Sequence, residues 1–374
     1  VLLKDIGNLE EAELFYRKAI ELKPDFANPY SNLGNILRDL GRITEAEIST
    51  RKAIELKPDF ANAYSNLGNI LRDIGRITEA EISTRKAIKL KPDLSEAHSN
   101  LGNILRDVDR LIEAEISIRK AIKLKPDFVN AYSNLGNILI DQGHLKEAEE
   151  HYRKSIQLKP GFADAYFNLS HIELLNGNYQ DGLDDFEFRL KKKQPVLFHG
   201  QAKIKREESK ELQKDEKLLV ITEQGLGDTL QYMRYIPYLK KQGFDISFCA
   251  QEKLHSLIQV SGIDSNPLTA EESNRVSEGK WIPLLSLPRC LNISPENPII
   301  SEPYIHSTDK LNQKWKNILS TEKRPIVGIN WQGNPKMENT YRGRSISLEK
   351  FSIPALNNDI SMISLQKGFG SEQL

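Results

Sequence analysis

The chain has 374 residues, with 52 lysines and arginines against 52 aspartates and glutamates, so its formal net charge at neutral pH is zero. That balance argues against a chain built as a whole to bind nucleic acid, and no apolar run reaches membrane-span length. The two cysteines, Cys249 and Cys290, stand 41 residues apart without metal-type spacing; they suit buried thiols in a reducing, cytoplasmic compartment.

From the amino end to about residue 191 the chain repeats itself. Pro24, Pro58, Pro92, Pro126 and Pro160 recur every 34 residues, as do Gly34, Gly68, Gly102 and Gly136, and Ala46, Ala80, Ala114 and Ala148. In the unit Ala61–Leu94, the spacing predicts a first helix over about 62–74, with Tyr64, Leu67, Ile70 and Leu71 as its buried stripe and Gly75 as its end. A second helix is predicted over about 78–90, with Ala80 and Ala87 small enough for close helix contact and Pro92 preventing continuation. Phe26, Phe60, Leu94, Phe128 and Phe162, two residues after each proline, are expected to cover the joints. One helix pair cannot bury its faces alone, so stacking must supply the core. The count is a partial unit over residues 1–24, then five pairs, the last of them (about 163–191) atypical. The chain opens at Val1 inside a helix remnant and reads as a fragment at that end, so a targeting segment would lie outside it. The period and its fixed glycine, alanine and proline resemble the tetratricopeptide repeat.

Within each first helix, polar residues share a face: Asn62, Ser65, Asn66, Asn69 and Asp73 lie opposite Tyr64, Leu67 and Leu71. Asn32, Asn66, Asn100, Asn134 and Asn168 hold one register. A row of amides that both donate and accept would grip an extended peptide main chain with little regard to its sequence. A solvated polar face that merely records duplication is the alternative.

Residues 192–217 are polar and lysine-rich and read as a solvated linker. Beyond Lys217 the pattern changes to strand, loop and helix: strands over 218–222, 246–250 and 326–331, a candidate strand over 281–287 and a last one over 360–365. Helices are predicted over 229–242 (bent at Pro237), 253–260, 311–319 and the start of 348–356. Such alternation points to an α/β region with a parallel sheet.

Two loops follow strands. In Glu223–Tyr235, "EQGLGDTLQYMRY", Gly225 and Gly227 permit close backbone approach and the helix start offers N–H groups to an anion. Leu230 stands where a dinucleotide fingerprint needs its third glycine, and no Gly-Lys-Ser/Thr follows. Asp228 either caps this helix or is a carboxylate exposed at the carboxyl end of a strand, where open α/β sheets hold ligands. In the second loop Arg342 and Arg344 flank a glycine, and Lys367 follows the last strand; these cations suit phosphate, with solvated side chains as the alternative. The seven histidines show no metal spacing, and no Ser/His/Asp set can be assembled.

The repeats resemble those of O-linked N-acetylglucosamine transferase, where "SNLGN"-like segments supply an asparagine ladder for the acceptor polypeptide; the matching positions are Asn32, Asn66, Asn100, Asn134 and Asn168. "FEFRLKKK" (186–193), "EQGLGDTLQYMRY", "LLSLP" (284–288), "VGINWQGNP" (327–335), "RGRSISLEKF" (342–351) and "SLQKG" (364–368) look like bacterial tetratricopeptide proteins with a glycosyltransferase-like carboxyl region, which is similar to the heptosyltransferase family. The resemblance implies two Rossmann-like lobes with the active site between them, acceptor on the amino lobe and nucleotide sugar on the carboxyl lobe. It implies Asp228, after Gly227, as general base, and Arg344 on the donor phosphates, without metal. Arg342 and Lys367, read from the loops themselves, are the further candidates for donor phosphate, and no cofactor is expected. The residues from Ile326 to Leu374 number 49, about one βαβ unit, which is less than a full nucleotide lobe.

The expected architecture is therefore an α-solenoid over 1–191 (about five and a half repeats), a linker over 192–217, an amino-terminal Rossmann-like lobe over 218–303 and the incomplete start of a nucleotide-sugar lobe over 304–374. The expected activity is transfer of a sugar from a nucleotide donor to an acceptor, with protein among the candidates, held by the repeats. A non-catalytic scaffold for protein–protein interaction is the alternative. The expected partners are a protein or peptide in the groove and a nucleotide-sugar substrate, with no nucleic acid and no membrane span.

Overall fold

The structure is a computed structural model that describes residues 8–193, 196–299, 302–330, 348–350 and 360–365. It comprises two compact units: the described residues of Val1–Leu197 with Ser209–Glu211 and Ser286–Ile299, and those of Phe198–Glu208, Leu212–Leu285 and Ile300–Leu374.

The first unit is a stack of helices. A lone helix, α1 (Leu9–Leu22), precedes five pairs: α2 (Ala27–Asp39) with α3 (Ile43–Leu56), α4 (Ala61–Asp73) with α5 (Ile77–Leu90), α6 (Ser95–Asp107) with α7 (Leu111–Leu124), α8 (Val129–Asp141) with α9 (Leu145–Leu158), and α10 (Ala163–Leu175) with α11 (Tyr179–Phe186). The helix α4 buries Ala61, Ala63, Leu67, Ile70 and Leu71, and α5 buries Ala80 and Ala87 against them. Gly75 follows α4 at φ +79°, the left-handed turn that glycine adopts without a Cβ penalty. The mid-helix glycine has a different reason. A Cβ on Gly68 would stand 2.0 Å from Thr84 Oγ1, and one on Gly136 2.6 Å from the Tyr152 ring. The close approach of the paired helices offsets the ~1 kcal/mol that an interior glycine costs. First helices of successive pairs also touch one another, whereas second helices do so much less, which makes the first helices the inner, concave layer.

The residue two after each proline behaves in two ways. Leu94 is buried among Ala61, Ala87 and Ala97. Phe26, Phe60, Phe128 and Phe162 are less buried, and each lies under a lysine three residues earlier, with Nζ 5.0–5.8 Å from the ring centre.

A buried polar knot closes the carboxyl end of this unit. Arg189, in a 3-10 turn over Glu187–Lys191, is 1% exposed. It donates to Glu187 at 2.6 Å and to Ser286 Oγ at 2.9 Å, and its guanidinium stacks 4.5 Å from the Phe186 ring centre. Ser286 in turn donates to Glu187, and Arg289, in the short helix Leu287–Cys290, pairs with Asp184 at 2.7 Å. The "FEFRLKKK" and "LLSLP" segments, nearly a hundred residues apart, thus meet in one cluster.

The second unit is built on a parallel sheet of β1 (Lys205–Arg206), β2 (Leu218–Ile221), β3 (Ile246–Cys249) and β4 (Lys280–Pro283), in the order β1-β4-β2-β3. Every residue of β2 is buried, as expected of an interior parallel strand. The segment read as a linker differs from expectation: Phe198, Ala202 and Ile204 pack on Leu219, Ile221 and Trp281, and residues 205–206 supply the edge strand. Its lysines mask a few well-spaced apolar residues. The predicted strand over 281–287 stops at Pro283, where the chain coils into a 3-10 turn. The helix predicted over 229–242 is two helices, α12 (Leu226–Tyr232) and α13 (Tyr235–Lys241). The break falls four residues before Pro237, whose ring would meet the Met233 carbonyl in a continuous helix. The short helices α14 (His255–Val260) and α15 (Ala270–Ser273) follow β3, and α16 is the Leu287–Cys290 helix of the first unit. A separate parallel pair, β5 (Ile326–Ile329) with β6 (Ser361–Ser364), follows α17 (Asp309–Leu319).

Candidate functional site

Two places offer chemistry, one in each unit. The first is the inner face of the helix stack. Asn66 Nδ2 donates to Ser31 Oγ at 3.0 Å, Asn100 to Ser65 at 2.9 Å and Asn134 to Ser99 at 3.3 Å, each across one repeat. Asn168 reaches Asn137 Oδ1 instead, at 2.9 Å, although Ser133 holds the serine position; the same Asn137 oxygen also accepts from the Tyr152 hydroxyl at 2.7 Å. The amides of the predicted row, Asn32 apart, are therefore partly engaged in holding neighbouring inner helices together. Each keeps one N–H and its carbonyl.

One turn further on, a second row was legible only as part of the polar face: Asn35, Asn69 and Asn103 are half-buried, and their side chains have no hydrogen-bond partner among the described residues. A ladder of ion pairs borders it, Arg38 to Asp73 at 2.5 Å, Arg72 to Asp107 at 2.5 Å and Arg106 to Asp141 at 2.6 Å. These pairs fix the step between repeats and neutralise the rim. The rows end at the fifth pair, where Phe167 and His171 meet edge to face, 4.7 Å apart, and Lys192 Nζ lies 4.5 Å from the Phe167 ring centre. The inner face is thus a polar, neutral trough of amides that closes on aromatic rings.

The second place is an open cleft of about 510 Å³ at the carboxyl ends of β2 and β3, lined by His199, Gln224, Gly225, Gln251, Glu252 and Lys253 among others. Gln224 sits at φ +61°, a left-handed conformation that a non-glycine residue rarely takes. His199 is held through Nδ1, 3.2 Å from the Thr222 carbonyl. Gln251 Oε1 accepts from Thr229 Oγ1 at 2.9 Å, and its Nε2 is buried with no partner among the described residues. A Cβ on Gly227 would meet nothing within 4 Å, so that glycine borders open space. The Asp228 carboxylate accepts from the Gly225 N–H at 3.0 Å, the geometry of a helix cap. Gly225 lines the cleft, but Gly227 and Asp228 are not among its walls. Sequence reasoning missed His199, Gln224 and Gln251, because strand ends separated in the chain bring them together. Arg342, Arg344 and Lys367 lie outside the described residues.

Among the described residues no cluster of three or more His, Cys, Asp or Glu could hold a metal ion, and no helix is long and apolar enough to cross a membrane. Cys249 is buried and Cys290 half-buried.

Comparison with known proteins assigns the helix stack. Models described as tetratricopeptide repeat match residues 61–94, 95–128 and 129–162, and a model described as TPR repeat matches residues 2–41 and 34–75. Residues 2–162 are therefore tetratricopeptide repeats. No curated protein matches the chain. Among solved structures the chain is similar to MamA (27% identity over 42% of this chain and 93% of that one, TM-score 0.36). It is also similar to YrrB, a TPR protein with an unusual peptide-binding site (26% identity, 47% and 91% covered, TM-score 0.35). A third is TTC0263, a thermophilic TPR protein in Thermus thermophilus (20% identity, 46% and 95% covered, TM-score 0.44).

Proposed function

We propose that the repeats bind an extended polypeptide through its main chain. The observation that carries this reading is the row Asn35, Asn69 and Asn103, three amides at one-repeat spacing with no intramolecular partner among the described residues. An amide both donates and accepts, as a peptide unit does, so such a row fits a strand-like backbone without selecting side chains. The neutral Arg–Asp ladder beside it disfavours neither acidic nor basic clients. The test uses a peptide selected from a random library on the full chain. Calorimetry should show binding that is lost when the peptide backbone is N-methylated at alternate positions, or when Asn35, Asn69 and Asn103 are all changed to Ala. Unchanged affinity in both cases would refute main-chain recognition.

A second reading concerns the other unit: sugar transfer from a nucleotide donor by a two-lobe, Rossmann-like region, with Asp228 as base, Arg342, Arg344 and Lys367 on the donor phosphates, and the asparagine rows holding the acceptor. What favours it is the cleft at the carboxyl ends of parallel strands, where α/β sheets bind ligands, together with the six ordered motifs that resemble glycosyltransferases. Calorimetry of the full chain with UDP-, ADP- and GDP-sugars tests it. No heat with any of the three would count against sugar transfer from these donors and leave peptide binding by the repeats as the reading that stands.

A further inference from the structure

The outer layer of the repeats carries an apolar row that neither the fold nor peptide binding uses. Leu14 on α1, Ile48 on α3, Ile82 on α5 and Ile116 on α7 recur at the 34-residue step and are 66, 66, 65 and 64% exposed. In α9 the position is Glu150, and the row ends. Three residues beyond each aliphatic stands an arginine (Arg17, Arg51, Arg85, Arg119), paired with glutamates of its own and the next outer helix. Two turns beyond each aliphatic, on the same helix face, the residues are Glu21, Glu55, Lys89 and Lys123, all exposed. The helices α3 and α5 are identical at every position except this one, glutamate in the first and lysine in the second. Glu21 and Glu55 pair with Lys18 and Lys52 of their own helices. At the other end Lys86, Lys89, Lys120 and Lys123 have no acidic partner among the described residues. The stripe is therefore aliphatic along its centre, with carboxylates in one half and uncompensated lysines in the other.

We propose that this stripe is a self-association surface, and that its occupant is the same stripe of a second copy of this chain. A two-fold axis parallel to the outer helices, between α3 and α5, maps each half onto the other. On this outer, convex face the contact centres on the axis: Ile48 then meets the partner copy's third aliphatic, and Glu55 faces the unpaired lysine of α5. An axis along the stack would place each helix on itself and offer the lysines only Glu79 and Glu113, which already pair with Arg76 and Arg110, so the charge pattern favours the first arrangement. A row of large exposed aliphatics rimmed by charge is the surface pattern of an interaction site rather than of a solvated face.

Sedimentation equilibrium of the full chain over micromolar to high-micromolar concentrations tests this. A reversible dimer is expected. Ile48→Asp with Ile82→Asp should abolish it without changing the helical circular dichroism or thermal midpoint, since both side chains are exposed. Glu55→Lys alone sets like charges opposite and should weaken the dimer about tenfold; Glu55→Lys combined with Lys89→Glu should restore it. A chain that stays monomeric throughout, leaving the stripe to a lipid surface or a different protein, overturns the proposal. So does a dimer indifferent to the aspartates, or one that the charge exchange fails to restore.

Discussion

Asn66 gives one amide hydrogen to Ser31 Oγ, 3.0 Å away on the preceding inner helix, whereas Asn69, one turn on, has no side-chain partner among the described residues. The two asparagines share a face but not a role. Asn66→Ala should lower stability by about 1 kcal/mol, the net worth of a hydrogen bond, and leave Ser31 short of a donor. Asn69→Ala should leave the thermal midpoint unchanged and weaken a bound peptide about fivefold, the same energy expressed as affinity. Thermal melts and calorimetry on both variants separate the roles; equal effects of the two changes on both readouts would contradict the division.

Thr84 is fully buried, and its hydroxyl has no partner among the described residues. The same position in later repeats holds Ile118 and Tyr152. Thr84→Val keeps the shape and removes an unsatisfied polar group, so the thermal midpoint should rise, by the equivalent of about 1 kcal/mol. Gly68→Ala should act in the opposite direction, because its methyl would stand against Thr84 Oγ1 and 3.2 Å from the Ala80 carbonyl; overpacking of this kind costs about 1–3 kcal/mol.

The helix stack was legible almost to the residue because a period repeated five times averages out local ambiguity. The helix ending before Gly75 and the one ending before Pro92 were placed by residues with backbone restrictions of their own. What the period could not convey was which asparagine is occupied, since Asn66 and Asn69 differ only in what stands across the step. In the second unit, strands showed as apolar runs, but β1 did not. Two residues, Lys205 and Arg206, form it, and only the Phe198–Trp281 contact (ring centres 5.1 Å apart) and its neighbours bury that segment. The cleft residues His199 and Gln251 are polar, lie 52 positions apart, and carry no pattern at all.

Glu173 on α10 is 5% exposed, and burial, with the Asp185 charge beside it, pushes its carboxyl from 4.5 up to about 7. Arg153, 3.4 Å away, pulls the other way without prevailing, while Asp181 and Glu149 add to the rise. The folded chain therefore holds a proton that the unfolded chain releases. This group's contribution is fully present below about 4.5 and is lost as pH rises through about 7. Asp185, pushed up to about 6 by burial and the Asp181 charge, acts in the same direction, and His151 and His171, held low by desolvation, act in the opposite one. The readout is therefore a difference: from pH 8 to pH 5 the parent chain should gain stability relative to Glu173→Gln in chemical denaturation. Parallel pH profiles for the two chains would show that another group carries the dependence.

Asp228 has one observed task and one proposed task, and a pair of substitutions distinguishes them. Its carboxylate accepts the Gly225 N–H at 3.0 Å and so holds the glycine loop against the start of α12. Asparagine retains an acceptor oxygen of the same reach, so Asp228→Asn should melt within a degree or two of the parent. Asp228→Ala strips the cap and should cost about 1 kcal/mol. A general base, by contrast, needs an ionisable carboxylate, which asparagine lacks. If the residue acts only as a cap, any sugar transfer or nucleotide-sugar hydrolysis by the full chain survives in Asp228→Asn and falls in Asp228→Ala in step with stability. If it acts as the base, both substitutions abolish turnover while nucleotide-sugar binding and the asparagine variant's melting point persist. Activity in Asp228→Asn equal to that of the parent chain would remove the carboxylate from the chemistry and shift attention to His199, which is itself one of the cleft walls.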